Sequence, residues 1–512
     1  MACLVGIDLG TQGTKTVLRD ADGTVLAEAF EESRLIYPEA GAVEQDPEEM
    51  LGSVLRTIRS VMDATGTKPA DVAGICLSGQ MAGIMGVDRD GNAATPYDSW
   101  LDTRCGKYRD MILAHGEDRI VAITGAPVTY AHGPKIMWWK HARPQVYARI
   151  HKFVQPAAYT VMRMCGLRGD DAFVDHTYLH FSGFADTAAK KWSTDLLSAL
   201  DVDPGKMPRI VKPHDRVGGL TKAMAEKAGL AEGTPVVAGC GDTASSMFGG
   251  GVTRSGMLLD VAGTASVLSC GADTYAPDVK HKTIMFANSV QDGLFTPYAY
   301  INGGGMCLKW FRDDVLNHKI SFDELNRMAA EVPPGGEDLI FMPHFSGRVC
   351  PNDTLVRGSY INLTWKHNRA HMYRAVLEGI AYEYGIYQDI IRELVPDMVF
   401  ERVVSVGGGS KGELFRQIKA DVLNTPVSTI NLADTSLLAC CAIAGYGTGV
   451  YDSLTGLIDK SLAVLETQEP DAARHDFYTG RKNVYAEVFP ALHGVYRDLQ
   501  ALAPWRSGNE DK

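Results

Sequence analysis

The feature that most narrows what this 512-residue chain can fold into is a pattern written twice, half a chain apart. Asp8-Leu9-Gly10-Thr11-Gln12-Gly13 runs into Thr14 to Leu18, and Asp260-Val261-Ala262-Gly263-Thr264-Ala265-Ser266 runs into Val267 and Leu268. Each is an apolar strand ending near an aspartate, a Gly-Thr turn and a returning strand. Two such openings at that separation point to a duplicated α/β domain with a cleft between the copies. Residues 4–29 read as an antiparallel three-stranded meander, with Asp22-Gly23 at its second turn. Further along, β-rich runs at 72–78, 84–87 and 236–239 are separated by amphipathic helical stretches such as 47–63 and 221–227, the alternation of an α/β domain. The glycine-rich segment 248–251 suits a hinge and divides the chain into domains 1–248 and 249–512.

Charge narrows the partners. The chain has 50 Lys plus Arg against 62 Asp plus Glu, a net charge of −12, which argues against nucleic acid or an anionic membrane as the main partner. The N-terminus has no basic leader and places Asp8 inside its apolar run, so a cytoplasmic protein is expected. The uncharged stretch 435–451 is too short and too rich in small residues for a membrane span and reads as a buried helix. The 10 cysteines show no Cys-x-x-Cys spacing, so they read as reduced core residues.

A Gly-Thr turn between strands presents backbone N–H groups and a hydroxyl, which suits a phosphate, and two facing turns could hold a polyphosphate. The first is not a P-loop, because Thr14 separates Gly13 from Lys15. Asp8, at the strand end beside that turn, suits a magnesium ion held through water better than a turn cap. Asp242 follows an apolar strand in Gly239-Cys-Gly-Asp-Thr243, where a carboxylate either takes the proton of a substrate hydroxyl or caps the next helix. Gly407-Gly408-Gly409 precedes a helix at 413–423 and admits a ring or ribose close to the backbone. Gly303 to Gly305, ahead of the helix with Trp310, offers either such a surface or tight backbone packing. His176 and His180 lack the glutamate and third ligand of a zinc protease and read as incidental, and at least one of Trp138 and Trp139 reads as core.

Together these segments resemble the FGGY carbohydrate kinases, most closely the xylulokinase-like branch. The resemblance spans nearly the whole chain: Gly6 to Thr11, Ser78 to Met81, Trp100 to Arg104, Pro134 to Trp138, Gly239 to Asp242, Asp260 to Thr264, Arg369 to Gly379 and Gly407 to Ser410. It implies two ribonuclease-H-like domains of the actin-like ATPase type, ATP and Mg²⁺ in the cleft, and γ-phosphate transfer to a sugar hydroxyl. By the same resemblance Asp242 is the base and Asp8 the metal-associated carboxylate. Thr11, Gln12, Gly13 and Lys15 form the first phosphate turn, with Gly263 and Thr264 in the second. Gly305, Lys309, Gly408, Gly409 and Glu413 contact nucleotide, while Gln80, Met81, Ala82, Trp100, Asp102, Arg104 and Tyr130 fall on or beside sugar-facing positions.

The implied substrate is a pentulose such as xylulose, with another ketose, a polyol or a sugar acid as alternatives, in a protein expected to be a homodimer. A noncatalytic actin-like nucleotide switch is the rival from another class. Three positions depart from the pattern. Ala82 stands where xylulokinases read histidine in Gln-Met-His-Gly, Glu413 stands where glycerol-kinase-like relatives often have asparagine, and Asn362 replaces a glycine. The first bears on which sugar fits, because a lost polar contact changes discrimination strongly.

Overall fold

The computed structural model describes residues 2–432 and 434–502. The first domain opens with β1 (Cys3–Leu9), β2 (Gly13–Asp20), β3 (Val25–Glu32), α1 (Pro47–Thr65) and β4 (Val72–Gly79). It continues through α2 (His132–Ala142), α3 (Pro156–Cys165), β5 (Arg216–Gly219), β6 (Pro235–Val237) and α4 (Asp242–Gly249). The second repeats the scheme with β7 (Met257–Ala262), β8 (Ser266–Cys270), β9 (Met285–Asn288), β10 (Phe295–Ile301), α5 (Gly304–Trp310), α6 (Phe322–Ala330) and α7 (Arg369–Leu394). It closes with β11 (Arg402–Val406), α8 (Glu413–Leu423), β12 (Val427–Ile430), α9 (Thr435–Gly447), β13 (Val464–Gln468) and α10 (Ala472–Ala501).

The first sheet runs β5-β6-β4-β1-β2-β3 and the second β9-β10-β8-β7-β11-β12-β13. In each, the opening strand pairs antiparallel with its return strand and parallel with the strand after the crossover, β4 or β11. Leu4, Val5, Ile7 and Leu9 have no exposed surface, as a central strand covered on both faces requires. Two sheets that share the order of their central strands, with helices on their faces, form the duplicated ribonuclease-H-like fold of the actin-like ATPases.

The duplication extends to individual contacts. Asp8 lies opposite Ser78 across β1 and β4, and Asp260 lies opposite Ser405 across β7 and β11. Ser78 Oγ donates to Asp8 at 2.7 Å and Ser405 Oγ to Asp260 at 2.5 Å. The copies then diverge. Asp260 is sealed, with no exposed surface, by Lys419 Nζ at 2.5 Å and Tyr384 OH at 2.8 Å. Asp8 stays half-buried, and Lys15 beside it pairs with Asp434 instead.

The uncharged segment 435–451 does form a buried helix, α9, but over the first sheet: its contacts are with β1, β4 and α4. Gly6 makes that seat possible, since a Cβ there would stand 2.8 Å from both Leu437 O and Cys441 Sγ. Cys76, Cys240, Cys440 and Cys441 fill the same interface as thiols, and all ten cysteines are free. The two histidines at 176 and 180 join the domains: His176 Nε2 meets Ser289 O at 2.9 Å and His180 Nε2 meets Tyr298 OH at 2.8 Å. Trp138 and Trp139 are both buried, one stacked by Arg104 and the other donating to Asp98. Asn362 has φ of +67°, a conformation asparagine tolerates better than most residues. Among the described residues no helix is long and apolar enough to cross a membrane.

Replacing Lys419 with methionine strands Asp260 as an unpaired buried charge. A loss of about 3–5 kcal/mol is expected in urea unfolding of the Lys419→Met protein, and an unchanged midpoint would show that this pair does not hold the second sheet.

Candidate active site

Asp242 reaches the cleft through an interruption of its strand. β6 stops at Val237, Gly239 turns with φ of +80°, and Cys240-Gly241 pairs again with β4 before α4 begins at Asp242. Only glycine fits at 239, because a Cβ would lie 1.9 Å from Leu77 O. Asp242 is the first helical residue, with Gly241 at the N-cap, so its carboxylate both meets the first turn of α4 and faces the cleft. One carboxylate oxygen accepts the Thr243 N–H at 2.6 Å and lies 3.2 Å from the Thr243 hydroxyl. Burial, reinforced by the negative charge of Asp8, pushes its pKa up to about 7 despite the Thr243 bonds. Burial likewise raises Asp8 to about 6 against the opposing bond from Ser78.

Asp242 faces a cavity of about 450 Å³ built by both domains. The first domain contributes Met81, Ala82, Trp100, Thr129, Tyr130 and Thr243, and the second Tyr298, Tyr300, Asn302, Arg348 and Asn352. Buried Lys135 fixes two loops of this wall by donating to the carbonyls of Ala82 and Tyr130. Ala82 has φ of +61° and lines the cavity.

Gln80, Asp102 and Arg104 lie behind the wall instead of lining it. Gln80, almost wholly buried, accepts from Thr11 Oγ1 at 3.2 Å and donates to Gln45 at 2.7 Å, while Trp100 Nε1 donates to the same Thr11 hydroxyl at 2.8 Å. That set ties the sugar-side loop to the first phosphate turn. Asp102 accepts from Val43 N and Arg104 Nε, and the Arg104 guanidinium is shared among Glu44, Asp98 and Asp102. Both side chains are consumed in bracing the loop that carries Trp100 and Thr103.

A second cavity of about 710 Å³ belongs to the second domain alone. Gly263, Thr264, Gly305, Lys309, Gly408 and Gly409 line it, as do Arg312, Phe322, Asn326, Tyr373 and Phe415, which sequence reasoning did not single out. Glu413 opens α8 outside that lining, exposed to solvent. In the first turn Gly13 is buried at the start of β2, Gln12 is exposed, and Lys15 is held 3.0 Å from Asp434. Some missed residues had a visible signal: Tyr298, Tyr300 and Asn302 recur every second residue through β10 and just past its end, the period that puts side chains on one face.

No three metal-ligating side chains converge among the described residues. The region around Asp8 still suits a cation, because its negative charge adds to that of Asp242 and the nearby Lys15 pairs with Asp434, whereas its twin Asp260 has Lys419 to itself. A magnesium ion keeps most of its waters and needs few protein ligands, so this donor set fits it.

The fold and paired cavities define a phosphotransferase of the actin-like class. Residues 3–249 match the N-terminal domain of the FGGY family of carbohydrate kinases and residues 258–446 its C-terminal domain. The chain belongs to that family. It is 29% identical to a xylulose kinase of Bacillus subtilis over 496 residues, covering 96% of this chain and 97% of that one. A gluconokinase of the same organism is 25% identical, covering 89% and 90%. The crystal structure of a xyloylose kinase from Brucella ovis superposes with a TM-score of 0.86 at 26% identity, covering 96% of this chain and all of that one. The chain is an ATP-dependent carbohydrate kinase of xylulokinase-like type, which sets aside the noncatalytic switch.

The raised pKa of Asp242 has a stability consequence. The folded state holds this proton up to about pH 7 whereas the unfolded chain releases it near 3.8, so stability falls as pH rises between those values. Asp242→Asn removes that penalty. Its melting temperature is expected to exceed wild type by roughly 1–3 °C at pH 8 and by less at pH 5; an equal or reversed difference in calorimetry would show that Asp242 is not desolvated.

Proposed function

We propose that the chain transfers the γ-phosphate of ATP to a hydroxyl of a pentulose, with Asp242 as general base. The observation that carries this is the placement of Asp242: a carboxylate raised toward neutrality, one oxygen tied to Thr243, on the wall of a cavity sized for a small sugar. A carboxylate of that pKa is ionised above neutral pH yet basic enough to take the proton as the hydroxyl attacks. The polar side chains of Thr129, Tyr130, Tyr300, Asn302 and Asn352 would orient the sugar, while the second cavity would hold adenosine against Gly408 and Gly409. Gly263, Thr264 and the turn at Thr11 would direct N–H and hydroxyl groups at the phosphates. Magnesium held through water by Asp8 would offset the charge of the β- and γ-phosphates. Two xylulose kinases, Bacillus and Brucella, and a gluconokinase among the relatives support a C5 to C6 acceptor.

Sugar-dependent ADP release across ketoses, polyols and aldonates tests the substrate class, and turnover only with aldonates would overturn the pentulose reading. With the accepted sugar, Asp242→Asn is expected to lower kcat by roughly 10²–10⁴. Wild-type kcat/KM should climb with pH to a plateau above about 8, as one carboxyl of pKa about 7 ionises. Wild-type turnover in the asparagine protein would remove Asp242 from the chemistry.

Ala82 supplies a cavity wall with no side-chain hydrogen bond, at a φ that histidine also adopts. Ala82→His should therefore shift kcat/KM toward D-xylulose relative to the best native sugar by about tenfold, the effect of one buried polar contact. No change in the ratio would show that residue 82 does not read the sugar.

A further inference from the structure

The smaller cavity carries one basic side chain, and that side chain is already paired. Arg348 is the only lysine, arginine or histidine among the described residues that line it, against the carboxylates of Asp242 and Asp353. It sits on a hairpin of the second domain, where the Arg348 N–H donates to Asp353 O at 2.8 Å and the Asp353 N–H donates to Arg348 O at 2.9 Å. Behind the hairpin, Glu383 of α7 takes Arg348 Nη2 on one carboxylate oxygen at 3.2 Å. Its other oxygen meets His344 Nε2 at 2.9 Å and accepts from Tyr485 OH of α10 at 2.7 Å. Glu383, His344 and Tyr485 are almost wholly buried, whereas the Arg348 side chain keeps 13% of its surface. Burial pushes the Glu383 pKa up, but Arg348, His344 and Tyr485 together hold it well below the usual carboxylate range, so the group is charged. The guanidinium is not used up. Its Nε is buried without a hydrogen-bond partner, and Nη1 has none among the described residues.

These charges decide what such a wall admits. A sugar acid brings a carboxylate, which must shed water and meet an unbalanced cation to be held out of it. Arg348 does not supply one, because Glu383 balances its charge while Asp242 and Asp353 stand on the same wall. An uncharged sugar needs only a donor directed at a hydroxyl or carbonyl oxygen, and the free N–H groups of the guanidinium provide it. We propose that Arg348 is the specificity-determining contact of the second domain with the acceptor, and that Glu383, as its positioning residue, makes the cavity select an uncharged sugar over a sugar acid. This rests on the reading of the cavity as the acceptor site and narrows the acceptor by charge, independently of its carbon count.

The test uses the full chain and compares kcat/KM for D-xylulose, or the uncharged panel sugar turned over fastest, with that for D-xylonate at saturating ATP. Glu383→Gln keeps the shape of the side chain and removes the balancing charge. It should raise the ratio of D-xylonate to uncharged sugar by at least about tenfold, with KM for ATP within about twofold of wild type, which also shows that the protein is folded. When Arg348→Gln is added to Glu383→Gln, no cation faces the cavity and the gain should disappear, whereas a wall that had merely loosened would keep it. Arg348→Lys retains the ion pair, and with it the fold, but gives up the free N–H groups. Its KM for the uncharged sugar should rise at least about threefold while kcat stays within about twofold. A folded Glu383→Gln protein with an unchanged ratio, a gain that survives in the double variant, an unchanged sugar KM in Arg348→Lys, or a wild type that prefers D-xylonate would each overturn the proposal. Fastest turnover of a polyol or a ketohexose, with these ratios as expected, would fault the pentulose reading and leave the selection by charge standing.

Discussion

A carboxylate carried into the interior at the end of a strand must be neutralised, hydrogen-bonded or protonated, because an isolated buried charge costs far more than a single packing contact returns. This chain meets that constraint twice, with the same local solution and opposite outcomes. Asp260 receives a lysine, a tyrosine and a serine, and becomes an internal brace of the second sheet. Asp8 receives a serine from its own domain and keeps a raised pKa beside two further carboxylates. What is a structural ion pair in one copy is an unfilled demand for positive charge in the other. The phosphate turn, the approach of α9 and the position of Asp242 are all arranged around it.

The division of labour between cavities follows from the duplication. The larger cavity is lined only by the second domain. The smaller one takes walls from both, with Asp242 where they meet. On the proposed reading its contacts with the acceptor depend on how the halves sit, which is where binding energy is best used to assemble the reacting geometry and exclude water.

Sequence patterns exposed what is local. The Asp to Gly-Thr echo, the meander and the strand before Asp242 all repeat or punctuate over short windows, so their fold follows from period and turn chemistry. Side-chain partners far apart in the chain were not legible. Gln80, Asp102 and Arg104 sit in motifs beside the sugar-facing residues, yet their polar groups are taken by Gln45, Val43, Glu44 and Asp98, which no spacing rule connects to them. Ser78 and Ser405 gained significance only once parallel pairing put each across from its aspartate. Arg348 and Asn352 reach the cavity from a loop whose residues carry no periodic signal.

Helix α9 links the domains in a way that also bears on how the protein is made. Its apolar seat over β1 and β4 is complete in sequence when residue 249 leaves the ribosome, but its occupant begins at residue 435. At roughly 5–20 residues per second, the nascent first domain waits about ten seconds or more with that groove open. The surface that α9 later covers is thus, during synthesis, an open apolar groove of the kind a holding chaperone recognises.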